Sequence, residues 1–480
     1  MKKKINDITY IIIFLVCSIL FALPSIIYML QNKTVYRFVW HRTFLLRQPI
    51  YNIEPLLNAL LFFVIFSLLF LFYFLIVKNN KKIFKNKKTI FIFIGIIAIL
   101  FMVIIPYTSS DVYSYIANGW SAAHYKENPY YVSTGEIVEN TRQNEPMFNK
   151  VARCWVYETV VYGPVWTLIC TGLSSLSFGN IDMALFVFKL ANLIVHLINC
   201  VLIYKITKKN FWVLLYGLNP FILFEALSNT HNDIFVILFI LLAIYFAFKK
   251  KRLFLAVAFI AMATAMKYMA ILILPFIVIY CVKEKDLKSR IKYCVLYGIE
   301  YIVIIFLFYL VYLRDFQVLA GLFMQQAKYN RSIFFLLYYF LRDKNMGIVT
   351  LLQNLTFIVF AIYYIYVVVK LLLEKDIKLY KTIQKYHIIL MFFTFIVITN
   401  FNAWYIMWLF PTIMYLKPKS VKNIIHLSYA SQIANLLGFA LFSEDESLGV
   451  PYYIIMIILT IGLNMVANKK CKLEKIKSKT

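Results

Sequence analysis

Apolar residues in this chain come in long unbroken runs rather than in the alternating or 3.6-periodic stripes of a water-soluble fold. The runs cover roughly 8–29, 55–77, 89–106, 183–206, 211–226, 233–248, 253–266, 268–282, 293–313, 348–373, 387–400, 404–416, 424–442 and 450–467. Many approach the roughly 20 residues that a helix needs to cross a hydrocarbon layer. In lipid each backbone N–H and C=O must find a partner within its own segment, which favours helices. The runs are too long and too evenly apolar for barrel strands. The pattern therefore predicts an all-α, polytopic transmembrane bundle of about fourteen spans. Several runs fall below about 17 residues, and short spans often meet in polar pockets. The chain reads as one continuous membrane domain without a repeat, a low-complexity linker or a soluble module.

Polar residues between the runs set the topology. Basic clusters sit at Lys2–Lys4, Lys78–Lys88, Lys205–Lys209, Lys249–Arg252, Lys283–Lys292, Lys375–Lys385, Lys417–Lys422 and Lys469–Lys479. With the N-terminus inside, all of them fall on the cytoplasmic face, and so does the C-terminus. The first run lacks an Ala-x-Ala-like end and is read as a retained helix. Lys33, Arg37, Arg42 and Arg47 lie in an outer loop, against phospholipid phosphates or an anionic substrate. Glu444-Asp-Glu446 is expected to be a solvated outer loop.

The largest hydrophilic stretch, residues 107–182, is also outside. Ser110–His124 is amphipathic and is expected to lie on the membrane surface as a helix, ended by Asn128-Pro129-Tyr130. Residues 133–153 read as loop, and 160–178 as a helix along or dipping into the outer surface. A span there would invert every later basic loop.

Composition adds two exclusions. A net charge of +28 would suggest nucleic acid in a soluble protein. Here the charge lies between apolar runs, so it serves topology and anionic headgroups, and no nucleic-acid partner is expected. Seven cysteines without a CxxC pair read as small core residues rather than metal ligands or a disulfide framework.

Once orientation is set, scattered polar residues share the outer face. Asp111 follows the third span, with Tyr115 nearby. Glu225 precedes the tight turn His231-Asn232-Asp233. Lys267 sits between two short spans, Lys328 and Arg331 follow Asp315, and Trp404-Tyr405 opens a short hairpin with Trp408 and Pro411. Lys189, Asn192 and His196 recur at helical spacing in one span and are expected to face the bundle interior or a lipid groove. Transfer of a sugar from a lipid phosphate needs such a set. A carboxylate takes the acceptor proton, cations or N–H groups hold the leaving phosphate, and aromatic faces seat the ring. His231 and Asp233 lack a clear third partner for a metal, so no metal and no cofactor are expected.

The ordered motifs carry a resemblance. Asp111-Val-Tyr113-Ser-Tyr115 with Gly119, Asn128-Pro-Tyr130, Tyr162-Gly-Pro164, Asn219-Pro220 with His231-Asn-Asp233, Lys267-Tyr268 before Pro275, and Trp404-Tyr405 with Trp408 and Pro411 follow one another along residues 89–416. In that order the chain resembles the GT-C class of membrane glycosyltransferases, and within it the polyprenol-phosphate-mannose-dependent mannosyltransferases. The resemblance implies extra N-terminal helices at 1–88, a core at 89–416 and C-terminal helices at 417–480.

It further implies an inverting transferase moving a hexose, with mannose favoured, from a polyprenyl-phosphate sugar to a cell-envelope glycolipid or glycan. The active site would face outward from a bacterial cytoplasmic membrane. Asp111 falls on the catalytic-base position. His231, Asp233, Glu225, Lys267, Lys328, Arg331, Tyr115, Trp404 and Tyr405 are the expected substrate contacts. A transporter or lipid flippase is the rival reading from another class, disfavoured because the polar groups gather at the outer edge rather than at mid-bilayer.

Overall fold

The computed structural model describes residues 7–31, 55–84, 86–106, 108–326, 328–329, 331–341, 345–441 and 454–465. The four basic residues expected in the first outer loop and the acidic Glu444–Glu446 loop lie outside this set. The described chain is helical, with no strand.

Five helices are long and apolar enough to cross a membrane: Ile8–Leu30, Leu60–Lys78, Ile181–Thr207, Leu287–Leu310 and Met346–Leu373. Asn210–Gly217 and Pro220–Ser228, bent by 48°, make a sixth if taken as one. The remaining apolar runs are shorter or irregular. Ala403–Tyr415 is a 3₁₀ helix of 13 residues carrying Pro411. At about 2.0 Å rise per residue it reaches about 26 Å, against about 20 Å for the same residues as an α-helix. Its neighbours are likewise irregular: a 3₁₀ stretch at Tyr268–Ile273 and π turns at Phe224–Ser228 and Phe393–Val397. An apolar run does not reveal which of these winds it will adopt.

Among the described residues, the basic loops gather at one end of the bundle. Lys87 and Lys208 both lie over the Tyr204 ring. Arg290 donates to the carbonyls of Leu372 and Glu374, and Lys283 to that of Ile377. The Phe248 ring meets Tyr280 and Tyr415. From this end, Lys87–Val103 runs toward Asp111, Leu253–Thr264 runs toward Lys267, and Asp233–Ile244 returns.

The first two helices are built into the bundle. Phe21 and Phe62 pack at 4.2 Å, and both, with Phe66, surround Phe224 at 5.7–6.1 Å. Phe224 opens the π turn that carries Glu225, so the N-terminal pair braces a turn of the site.

The outer segment is folded more fully than its polarity suggests. Asp111–Ala123 is helical, and Pro164–Ser175 packs along it. The contact is possible because residue 119 is glycine: a Cβ there would lie 2.3 Å from the Cys170 carbonyl oxygen. Small residues permit this kind of backbone approach. The expectation of loop over 133–153 needs correction, because Thr134–Thr141 is a helix. Its start is a capping box: Glu136 N–H donates to Ser133 Oγ and Ser133 N–H to the Glu136 carboxylate. Ser-x-x-Glu is visible in the sequence and is worth about 1 kcal/mol at such a cap.

Candidate active site

Asp111 is the first residue of its helix, half-buried, at the end of the bundle away from the basic loops. Its N–H donates to Ser109 Oγ at 3.2 Å. Tyr115, one turn on, places its hydroxyl 3.5 Å from Asp111 Oδ2 and 3.3 Å from the Tyr162 hydroxyl. Burial, followed by Tyr162 and the Asp111 charge, pushes the Tyr115 phenol well above its ordinary range. Burial and Asp111 do the same to Tyr162. Both phenols therefore stay neutral and can donate to the carboxylate or to a ligand.

His231 connects Asp111 to a second acid. Its Nδ1 lies 3.8 Å from Asp111 Oδ2 and its Nε2 lies 3.3 Å from Glu225 Oε2, in neither case with the alignment of a hydrogen bond. The Trp404 ring stacks on the imidazole at 3.8 Å between centroids. Glu225 is fully buried and accepts from Asn229 Nδ2 at 2.8 Å and from Gln432 Nε2. Asn229 also donates to Thr108 Oγ1, so it ties the His231 turn to the segment leading into Asp111.

Lys267 and Asp233 form the third part. Lys267 Nζ meets both Asp233 oxygens at 2.8 Å, and Trp408 Nε1 donates to Asp233 Oδ1 at 2.5 Å. Asp233 is completely buried and Lys267 nearly so. Tyr405, Tyr162 and Trp408 surround the ammonium at 5.3–5.7 Å, with Tyr405 stacked on Trp408. The turn bearing Lys267 is held from outside: Gly163 N–H donates to the Met266 carbonyl and Val165 N–H to that of Ala265. A Cβ at residue 163 would lie 2.3 Å from the Ala265 oxygen, which explains the glycine of Tyr162-Gly163-Pro164. The Asn128-Pro129-Tyr130 motif buttresses the same segment, as Tyr130 donates to the Tyr162 carbonyl at 2.8 Å.

Of the residues expected from sequence, Asp111, Tyr115, Glu225, His231, Asp233, Lys267, Trp404 and Tyr405 form one continuous set of contacts. Lys328 is set apart. It pairs with Glu158 at 3.2 Å and lies 4.0 Å from the Trp155 ring centroid, beside a cavity that Asp111 also lines. Arg331 donates to Asn435 Oδ1 at 3.0 Å, one turn beyond Gln432.

Two features were not assigned any role from sequence. Gln432 and Asn435 belong to Pro418–Leu441, beyond the stretch carrying the family resemblance, and polar residues inside a late apolar run gave little reason to place them here. The second feature is a polar stripe along Ile181–Thr207. Lys189 Nζ, fully buried, donates to the carbonyls of Ile104, Leu227 and Ser228 at 2.7–2.8 Å. Asn192 Nδ2 donates to Ala226 and His231 carbonyls, and Asn199 Nδ2 to that of Ile234. Lys189 thus joins the strand of chain before Asp111 to the turn before His231. A Lys189→Met variant leaves these three buried carbonyls short of a donor, at about 1–3 kcal/mol for each group that finds no substitute. We expect a lower unfolding midpoint in detergent together with a fall in transfer. An unchanged midpoint would remove Lys189 from the scaffold.

The arrangement offers a half-buried carboxylate lining a cavity, a histidine between two acids, and a buried cation beside aromatic rings. Among the described residues no group of three His, Cys, Asp or Glu side chains is placed to hold a metal ion. No curated protein and no solved structure matches the chain. The sequence profile of one family, described as alpha-(1->6)-mannopyranosyltransferase, N-terminal domain, matches residues 16–283 of the 480. The match begins in the first helix and includes Asp111, Glu225, His231, Asp233 and Lys267. The chain therefore belongs to the MptA_B family of GT-C mannosyltransferases and is a glycosyltransferase.

Proposed function

We propose that this protein transfers a mannosyl residue from a polyprenyl-phosphate carrier to a hydroxyl of a cell-envelope glycan or glycolipid, with inversion, on the outer face of a bacterial cytoplasmic membrane. The observation that carries the proposal is the position of Asp111, partly open to a cavity and backed by His231, Tyr115 and Tyr162. The acceptor O–H gives its proton to Asp111 as its oxygen bonds to the anomeric carbon. The bond from that carbon to the phosphate oxygen breaks, and the electron pair leaves with the carrier phosphate. His231, with Glu225 behind it, holds the base in place. Lys267, or the pair Lys328 and Arg331, meets the phosphate charge.

The clusters of Lys and Arg between the apolar helices support reading their end as cytoplasmic and the site as extracytoplasmic. Fourteen crossings fit this arrangement if the irregular segments cross as well. The stretched 3₁₀ helix Ala403–Tyr415 brings a run of 13 residues close to the roughly 30 Å hydrocarbon thickness. A test of the donor class is to incubate purified protein with polyprenyl-phosphate sugars and with nucleotide sugars, and to follow free carrier phosphate. Release from polyprenyl-phosphate mannose is expected. Turnover of the nucleotide sugar alone would contradict the proposal.

A further inference from the structure

Glu225 and Asp233, the two fully buried acids of the site, are held in different ways. Asp233 has a cation, Lys267, on both of its oxygens. Glu225 has neutral amides: Asn229 Nδ2 donates to Oε2 at 2.8 Å, and Gln432 Nε2 donates to Oε1. An ionised carboxylate only accepts, so each amide must turn its nitrogen toward it. Neutral donors fix the two oxygens without cancelling the charge, and a buried charge calls for an ionic partner. His231 is placed to be that partner, with Nε2 at 3.3 Å from Oε2. Of the other charged groups around the turn, Lys189 lies on the carbonyls of Leu227 and Ser228, Arg331 on Asn435 and Lys267 on Asp233, while Asp111 faces the other ring nitrogen of His231 at 3.8 Å.

The two amides come from different parts of the chain. Asn229 follows Glu225 by four residues. Gln432 is 207 residues away, on the helix Pro418–Leu441, outside the matched stretch 16–283. That helix is fixed on two sides. Tyr429 shares a hydrogen bond of 2.9 Å with Ser67 and packs its ring on Phe70 at 5.1 Å. The same helix packs on Ala403–Tyr415, which brings Trp404 onto the His231 ring. Gln432 is itself fully buried. With Oε1 held, Oε2 stays toward His231. Released, the carboxylate can turn about its last bond, and Oε2 leaves the imidazole.

We infer that Gln432 is a positioning residue for the transfer reaction: by donating to Glu225 it holds that carboxylate against His231, and through His231 it sets the placement of Asp111. The inference rests on the proposed glycosyl transfer and adds a member to its machinery from beyond the matched domain. The helix Pro418–Leu441 is then part of the working site as well as of the bundle. Contacts of 3.3 and 3.8 Å at the two ring nitrogens are of the loose kind that catalytic hydrogen bonds show before substrate binds. A small turn of Glu225 is enough to undo the first of them.

The test uses the full-length protein in detergent, with polyprenyl-phosphate mannose as donor and α-(1→6)-mannobiose as acceptor probe. Gln432→Met keeps the length and bulk of the side chain and removes the N–H donor. It is expected to lower kcat about ten- to hundredfold, the contribution of a hydrogen bond to a charged group, while both KM values hold and a cooperative unfolding transition shows that the variant is folded. Combined with Glu225→Gln, it is expected to add nothing to the loss caused by Glu225→Gln alone, because a residue that acts through Glu225 then has nothing to position. An unchanged kcat, a loss that appears in KM instead, or losses that multiply in the double variant would overturn the inference. If Gln432→Met does not fold, the exchanged pair Glu225→Gln with Gln432→Glu takes its place. The exchange keeps a hydrogen bond but moves the charge off His231, so a slow, folded enzyme upholds the inference and a wild-type rate ends it. If the wild type consumes no polyprenyl-phosphate mannose, the donor reading fails by itself, and the ¹⁵N spectrum of protein labelled at its six histidines decides the positioning role. Resonances of His231, identified by their loss in His231→Asn, that move in Gln432→Met while the remaining histidines hold uphold it. Unmoved His231 resonances end it.

Discussion

Replacing Asp111 with Asn is expected to lower mannosyl transfer by at least about 10²–10⁴-fold, the usual contribution of a positioned general base. The variant keeps the size and hydrogen-bonding shape of the side chain, and Asp111 is only half-buried, so the fold has little to lose. Tyr115 can donate to the amide oxygen as it does to the carboxylate, and its hydroxyl contact with Tyr162 is unaffected. What the amide cannot do is accept the acceptor's proton. Steady-state transfer by wild type and variant, each purified and compared by thermal unfolding midpoint, makes the comparison. A stable variant retaining more than about a tenth of the rate would take the base away from Asp111.

The second large effect is on stability. Lys267→Met leaves the Asp233 carboxylate buried with the Trp408 N–H but without its cation. Breaking a buried pair from one side costs about 3–5 kcal/mol, because the remaining charge is uncompensated. The expected result is a protein that unfolds at markedly lower temperature and is recovered in lower yield. The double variant Lys267→Met with Asp233→Asn removes both charges and is expected to regain most of that loss, since a neutral replacement of the whole pair is often tolerated. Activity separates scaffold from chemistry. If Lys267 meets the carrier phosphate, the double variant is stable yet binds the donor poorly, with a raised donor KM. A double variant no more stable than Lys267→Met would show that the pair is not what stabilises this turn. One that is stable and fully active would confine Lys267 to the scaffold.

Much of the site was legible in the sequence, for a physical reason. Charged and hydrogen-bonding residues at the edges of apolar runs are costly in lipid, so they stand out, and the basic loops say which edge they share. Asp111, the His231 turn, Lys267 and Trp404 come from four separate segments, yet topology alone put them at one depth, and their contacts follow. Pairing was not legible. Nothing in the spacing of Asp233 and Lys267 announces an ion pair closed by Trp408. The stripe Lys189, Asn192 and His196 was readable as one helical face, but its partners are backbone carbonyls, which every sequence contains. Gln432 reaches Glu225 from a helix that follows all of the recognised motifs, so no ordered pattern pointed to it.

The account turns on a single displacement at the anomeric carbon, driven by one base. Its most direct test is the anomeric configuration of the product formed by purified protein from polyprenyl-phosphate mannose and an α-mannoside acceptor, read by NMR together with the release of carrier phosphate. The predicted result is one mannose joined to the acceptor per carrier phosphate released, with the configuration opposite to that of the donor. A product of retained configuration, or labelled mannose that stays on its carrier and only crosses the bilayer, would contradict it.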